Sequence, residues 1–312
     1  MNNIIDLIIK KSPHLNWLSS NTEFLTLHGS RAYNTHTHTS DYDYKGICIC
    51  PKKYYLGFQD NFEQAELKEP DSVVYEIKKF FNLASQCNPN IIEVLFCDEK
   101  DYIFVTDIGQ EILENKNIFL SKKIKHTFSG YAVSQLNRIK SHKKYLLNPP
   151  KFKPTRKDFG LSESLSKEDQ LALYSDNYHH INDLLNKEKK YYDAKKHWDQ
   201  YENWKINRNP KRAFYEEKFG YDTKHAYHLV RLMRMCKEIL LTGKVIVKRP
   251  DREELLEIRN GYWSYERLIE FAENEEKQIN KIYNSSNVLS EKPDLTKINN
   301  LCIKLIEKKL NM

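Results

Sequence analysis

The stretch HGSRAYNTHTHTSDYDYKG, His28 to Gly46, holds the residue types that could do chemistry. Gly29 and Ser30 follow the apolar run EFLTL. A strand that ends in Gly-Ser and then turns exposes backbone N–H groups. Glycine lets a phosphate approach closely, and serine adds a hydroxyl donor. Beyond a polar segment, Asp41 and Asp43 alternate inside SDYD. Alternate residues of a strand share a face, so these carboxylates converge while Tyr42 and Tyr44 turn toward the core. Two carboxylates aimed at one place suit Mg²⁺. A phosphate-binding turn beside such a site is equipment for phosphoryl or nucleotidyl transfer. A lone D-x-D is mostly a solvated edge and a lone Gly-Ser carries nothing; the joint pattern carries the inference.

These residues need a strand-turn-strand frame, and the surrounding sequence supplies one. Residues 1–20 read as one amphipathic helix, and Phe24–Leu27 as a short strand. A polar loop runs from Arg31 to Ser40. DYDYKGICICP reads as a second strand stopped by Pro51, and DSVVYEI as a third that runs into the helical KKFFNLASQC. In NPNIIEVLFC, Asn88 can cap a helix whose first position is Pro89. Beyond Asp107 the pattern turns helical. The stretch NPPKFKPTRKDFGLSES lacks periodicity and reads as a basic loop. Residues Ser166 to Arg208 read as helical and highly charged. In TKHAYHLVRLMRMCKEILLTG, Leu229, Met233, Cys236 and Leu240 stack on one side and Gly243 ends the helix. DREELLEIRNG and SYERLIEFAENEEKQINKIY read as two more helices. The fold class expected is α+β: a small mixed-sheet head over residues 1–110, then a helical domain over 111–312 with a basic, Pro-containing loop near 148–165.

A chain of 312 residues can bury a sizeable core without disulfides. Its six cysteines form no C-x-x-C pair and sit in apolar runs, which points to buried reduced thiols in a reducing compartment. The N-terminus has no signal-peptide pattern, and no apolar run is long enough to span a bilayer. A cytoplasmic protein without a membrane partner is expected. The net charge of +7 permits polyanion binding without demanding it.

The Gly-Ser turn with its following Asp-x-Asp resembles the signature of the DNA polymerase β superfamily of nucleotidyltransferases. HGSRAYNTHTHTSDYDYKGICICP, DSVVYEIKKFFNLASQCNPNIIEVLF and TKHAYHLVRLMRMCKEILLTGKVIVKRPDREELLEIRNGYWSYERL resemble the RNA-repair-pathway (RlaP-like) branch, common in bacteria and bacteriophages. One departure is Asn34, where relatives commonly have Gly; Asn tolerates a left-handed backbone. The resemblance implies a nucleotidyltransferase that moves an NMP from an NTP to an acceptor hydroxyl. Gly29 and Ser30 would seat the triphosphate, and Asp41 and Asp43 would hold Mg²⁺ or Mn²⁺. A third carboxylate on a neighbouring strand usually completes the site and can act as general base. The candidates are Asp71 and Glu76, which in a regular strand face opposite ways. Asp71 is favoured, because Glu76 can instead serve as a charge at a helix N-terminus. The leading acceptor is RNA, such as a tRNA 3′ end. The alternatives are a protein acceptor, as in antitoxin-like enzymes, or a catalytically silent nucleotide- or nucleic-acid-binding module.

Other residues have a functional and a plain reading. Arg31 can neutralise phosphate charge, whereas Lys45 reads better as a solvent-facing cation. His36 and His38 alternate, but without a third ligand nearby they suit a loop beside the nucleotide better than zinc. Glu93 can face the site or merely pair. Lys224, His228 and Arg231 fall on one helix face opposite the apolar stripe, and are assigned to nucleotide binding. KFKPTRKDFG and the lysines of 187–196, interleaved with Tyr191, Tyr192, Trp198, Tyr201 and Trp204, suit a nucleic-acid surface. An ordinary helix with its aromatics turned inward would look the same.

Overall fold

Strand β1, Thr22–His28, is buried along nearly its whole length in a computed structural model of the chain, which describes residues 3–58, 61–163 and 178–311. Burial on both faces follows from its interior place in a five-stranded mixed sheet of order β3-β4-β2-β1-β5. The other strands are β2 (Asp43–Cys48), β3 (Gln64–Lys68), β4 (Asp71–Glu76) and β5 (Tyr102–Val105). β1 is antiparallel to β2 and β5, β2 is parallel to β4, and β3 is antiparallel to β4. The three expected strands are present. β3 and β5 were not expected: QAELK alternates but is short and built from weak strand formers, and YIFV is a short unbroken apolar run.

The single N-terminal helix expected over residues 1–20 is broken. A helix spans Asn3–Lys11, a 3₁₀ turn spans Pro13–Leu15, and a short helix spans Leu18–Asn21. Pro13 has no N–H to continue the ladder, and the residue before it is pushed out of the helical region. Ser12 accordingly sits at φ −134°, ψ 77°. Ile4, Ile5, Ile8, Leu15 and Leu18 cover one face of the sheet, against Leu25, Cys48, Ala65 and Val74. By alternation His28, Asp43 and Lys45 belong to the other face, with Phe24 and Ile47.

Asn88 caps the helix Pro89–Leu95, accepting the N–H of Asn90 at 3.0 Å. Helices follow at Asp107–Glu114, Ile124–Leu147, Tyr178–Ile206, Pro210–Phe219, Thr223–Thr242, Arg252–Arg259, Tyr265–Ser285 and Leu295–Leu310, so the C-terminal region is mostly helical. The expected helical reading of residues 166–177 lies outside the described residues. All six cysteines are buried and unpaired. No helix among the described residues is long and apolar enough to cross a membrane.

The contacts divide the chain elsewhere than at residue 110. One compact unit comprises residues 1–136 and 225–312, and a second comprises 137–224. The reason is that the C-terminal helices dock on the sheet-bearing head. Lys309 reaches Glu23 at 2.8 Å, Lys308 reaches Glu111 at 2.9 Å, and Lys122 reaches Glu291 at 2.6 Å. The second unit has its own core around Tyr145, whose ring lies 5.4 Å from Tyr201, 5.4 Å from Trp204 and 5.5 Å from His197. Beside it, the buried Glu216 takes His142 Nδ1 at 2.8 Å and Arg208 Nε at 2.8 Å.

Candidate active site

At the end of β1 the backbone turns left-handed, with Gly29 at φ +64°. A Cβ on Gly29 would lie 1.9 Å from Asp43 Oδ2, so no side chain fits while that carboxylate keeps its place. Both the backbone and the close approach require glycine here. One helical turn, Gly29–Ala32, follows; Tyr33 N–H donates to Gly29 O at 3.1 Å and Thr35 N–H to Ser30 O at 2.8 Å. Asn34 adopts φ +60°, the left-handed backbone that asparagine tolerates.

β2 enters the sheet at Asp43, opposite His28. The parallel register Tyr44↔Ser72 and Lys45↔Val73 sets Asp43 beside Asp71, one step earlier on each strand. Adjacent strands lie about 4.8 Å apart, and laterally matched residues share a face. Lys45 stands on that face too. Burial pulls its ammonium below its ordinary value, while Glu93, Asp71 and Asp43 favour its charge. It is therefore an internal counter-charge to carboxylates and not the solvent-facing cation expected.

Asp41 is exposed and precedes the strand, so no ladder pairing fixes its direction. Tyr42 is likewise outside the alternation and is 48% exposed, not turned to the core. The Arg31 guanidinium lies 3.4 Å from its ring centroid, and Tyr42 stacks on Tyr44 at 6.3 Å. Arg31 also donates to Ser40 O at 3.1 Å, closing the loop between the turn and the Asp pair.

Glu76 is not brought to Asp43. It lies five residues beyond Asp71, roughly 17 Å along the strand and on the opposite face. Its carboxylate caps the helix Ile77–Ser85, accepting from Lys78 N at 2.8 Å and Lys79 N at 3.1 Å, and takes the Tyr55 hydroxyl at 2.7 Å. Burial pushes its carboxyl above the ordinary value, against those hydrogen bonds. The helix-terminus alternative describes this residue.

The helix Thr223–Thr242 sets its three candidate nucleotide-binding residues at different depths. Leu229, Met233, Cys236 and Leu240 are buried as a stripe, but so are Ala226, Tyr227, Val230, Met235 and Ile239. A helix covered on most sides has no open basic face. Lys224 is exposed, and His228 is half-buried with its ring 4.9 Å from that of Tyr227. Arg231 is 3% exposed. Its guanidinium lies 3.8 Å from the Tyr33 ring centroid and bonds the Glu93 carboxylate. The Tyr33 hydroxyl donates to Glu93 at 2.5 Å, and His28 Nε2 lies 3.5 Å from that hydroxyl. Burial first, then Lys45 and Arg231, hold His28 well below the ordinary histidine value, so it is neutral at pH 7. Thr35 Oγ1 meets Tyr227 Oη at 2.7 Å, and Arg249 N–H donates to Tyr33 O at 3.1 Å.

The sequence reading left Glu93 open and did not single out His28 or Tyr33. Together they form the floor of the Gly29 turn. The available signals were a histidine ending an apolar strand and a carboxylate within the apolar run IIEVLF. His36 is half-buried and His38 exposed, and no group of three metal-ligating side chains among the described residues includes either.

The donors gathered here are carboxylate oxygens at one end of the sheet, where β2 and β4 begin, beside a turn whose first N–H groups have no helical partner. Such a set fits a hard divalent cation and a bound triphosphate. Residues 7–149 match the family described as RlaP, RNA repair pathway DNA polymerase beta family. No curated protein and no solved structure matches the chain.

Proposed function

We infer, from the match of residues 7–149 to the RlaP family, that this chain transfers an NMP from an NTP to an acceptor hydroxyl, RNA being the favoured acceptor. The observation that carries this reading is the seating of Gly29 directly against the Asp43 carboxylate, with Asp71 next in the ladder. It brings the Gly-Ser turn up against a pair of carboxylates. That adjacency also speaks against a catalytically silent module.

Asp43 and Asp71, with Asp41 from the adjoining loop, would hold Mg²⁺. When bound, the cation neutralises triphosphate charge and lowers the pKa of the attacking hydroxyl. The N–H groups of Gly29 and Ser30 hold the triphosphate in line for attack on its α-phosphorus. Asp71 accepts the hydroxyl proton, and pyrophosphate leaves. Lys45, on the same face of the sheet two residues beyond Asp43, limits the carboxylates' mutual repulsion before substrate arrives. Arg31 braces the loop that carries Asp41.

The test is incubation with each α-labelled NTP, Mg²⁺, and either total RNA or total protein. Label should enter RNA and be lost in an Asp41→Ala, Asp43→Ala double variant. Label in protein would move the acceptor to the protein class, and transfer persisting in the double variant would refute the mechanism.

A further inference from the structure

The charge of this chain is segregated. Residues 137–224 hold 20 Lys and Arg against 13 Asp and Glu, a net +7, which is the net charge of the whole chain. The other unit balances at 30 of each sign. Chance codon bias toward lysine would spread the excess over both units. Its confinement to one of them marks that unit as the one that meets a polyanion.

Within the unit the aromatics sort into two groups. Tyr201, Trp204 and His197 pack on Tyr145 and build its core. Tyr192 and Phe152 do not: they are 60% and 83% exposed. Tyr192 lies on the helix Tyr178–Ile206 with Lys189 three residues before it and Lys196 four after, so the three share one face. Phe152 stands between Lys151 and Lys153. All four lysines are exposed, and none has an ion-pair partner among the described residues. Of the acids nearby, Glu188 takes Arg156 at 2.5 Å and Asp183 takes Lys187 at 2.5 Å; Asp193, four residues after Lys189 and three before Lys196, leaves that face with two lysines to one carboxylate. The Arg156–Glu188 pair, with Phe159 6.0 Å from Tyr191, also ties the Phe152 loop to the helix.

We propose that the unit 137–224 grips single-stranded RNA, with Tyr192 and Phe152 as stacking platforms and Lys189, Lys196, Lys151 and Lys153 as phosphate contacts. The chemistry is that of a strand with splayed bases: flat rings open to solvent, each flanked on both sides by unpaired cations. A duplex hides its base faces, and a membrane-binding helix needs a continuous apolar face, which Lys189 and Lys196 interrupt. The identity of the strand as RNA rests on the acceptor reading above; the grip itself requires no catalysis.

The experiment is fluorescence anisotropy of the full chain with a labelled, unstructured RNA oligonucleotide, without NTP, over a salt series. The Lys189→Glu, Lys196→Glu double variant should weaken binding by at least tenfold. A Lys189→Ala, Lys196→Ala pair should make the slope of log affinity against log salt shallower by about 1.4. Tyr192→Ala should weaken binding by about 5- to 160-fold. All are surface changes, and circular dichroism checks that the helices persist. Wild-type affinity in all three variants would overturn the proposal, as would tighter binding to anionic phospholipid vesicles or duplex RNA than to the single strand. The outcomes separate from those for transfer. A wild-type chain that binds RNA through Tyr192 but never transfers label sinks the transferase reading alone. Transfer to RNA that is indifferent to Tyr192 and the lysines sinks this one alone.

Discussion

Replacing Arg231 by methionine tests whether this cation is part of the frame or part of the nucleotide site. The Arg231 and Glu93 side chains are 4% and 0% exposed and bond one another. Removing the guanidinium leaves the Glu93 carboxylate in a dry interior with the Tyr33 hydroxyl, the neutral His28 and only Lys45, which makes no direct ion pair with it, as counter-charge. Breaking a buried pair in this way costs about 3–5 kcal/mol. For a unit of this size that corresponds to a fall in Tm of roughly 6–20 °C. Removing both partners, as Arg231→Met with Glu93→Leu, deletes the stranded charge and should cost less than the two single changes together. Thermal and urea unfolding of the four proteins gives the cycle. A loss below ~1 kcal/mol for Arg231→Met, or strict additivity in the double variant, would refute the claim that the pair is a buried strut. A stable Arg231→Met protein with weakened NTP affinity would restore the triphosphate role that the sequence suggested.

Gly29→Ala should cost about 1–2 kcal/mol of stability from its left-handed backbone. It should lower transfer far more, because the new methyl must displace the Asp43 carboxylate; unaltered label transfer would count against the site. Asp71→Asn should abolish transfer with stability unchanged within about 0.5 kcal/mol, since Asp71 is exposed. Glu76→Gln should do the reverse, costing about 1–2 kcal/mol through its lost cap while transfer survives; parallel melting curves and label assays distinguish them. Burial pushes the Asp251 carboxyl up, but hydrogen bonds from Arg249 and Arg234 outweigh it and hold the group below its ordinary value. A folded value below the unfolded one means that this stability is present above about pH 4 and is lost as pH falls through the folded value. Asp251→Asn should flatten that part of the acid-unfolding profile, measured by urea midpoints from pH 6 downward.

The parts of this protein that are local in the chain were legible in the sequence. β1, β2 and β4 announce themselves by alternation, and Asn88-Pro89 announces a helix start. Gly29 at φ +64° and Asn34 at φ +60° are residue types that accept a left-handed backbone. The Gly-Ser turn and the following aspartates could thus be paired as one candidate site from their spacing alone. Pro13 was equally visible, but helical periodicity on both sides of it masked the break.

Only the tertiary structure decided the rest, because the deciding interactions join residues distant in sequence. The placing of Asp71, and not Glu76, beside Asp43 depends on the register of a parallel pair, Tyr44 with Ser72. Arg231 sits on a helix whose exposed-looking face is closed by Glu93, 138 residues earlier. Burial of that face required a partner, and periodicity along one helix cannot reveal what packs on it. The same is true of the division into units. The sequence determined that a head with a carboxylate-bearing edge would form. The docking of residues 225–312 onto that head determined which charges became its frame and left the excess positive charge to residues 137–224.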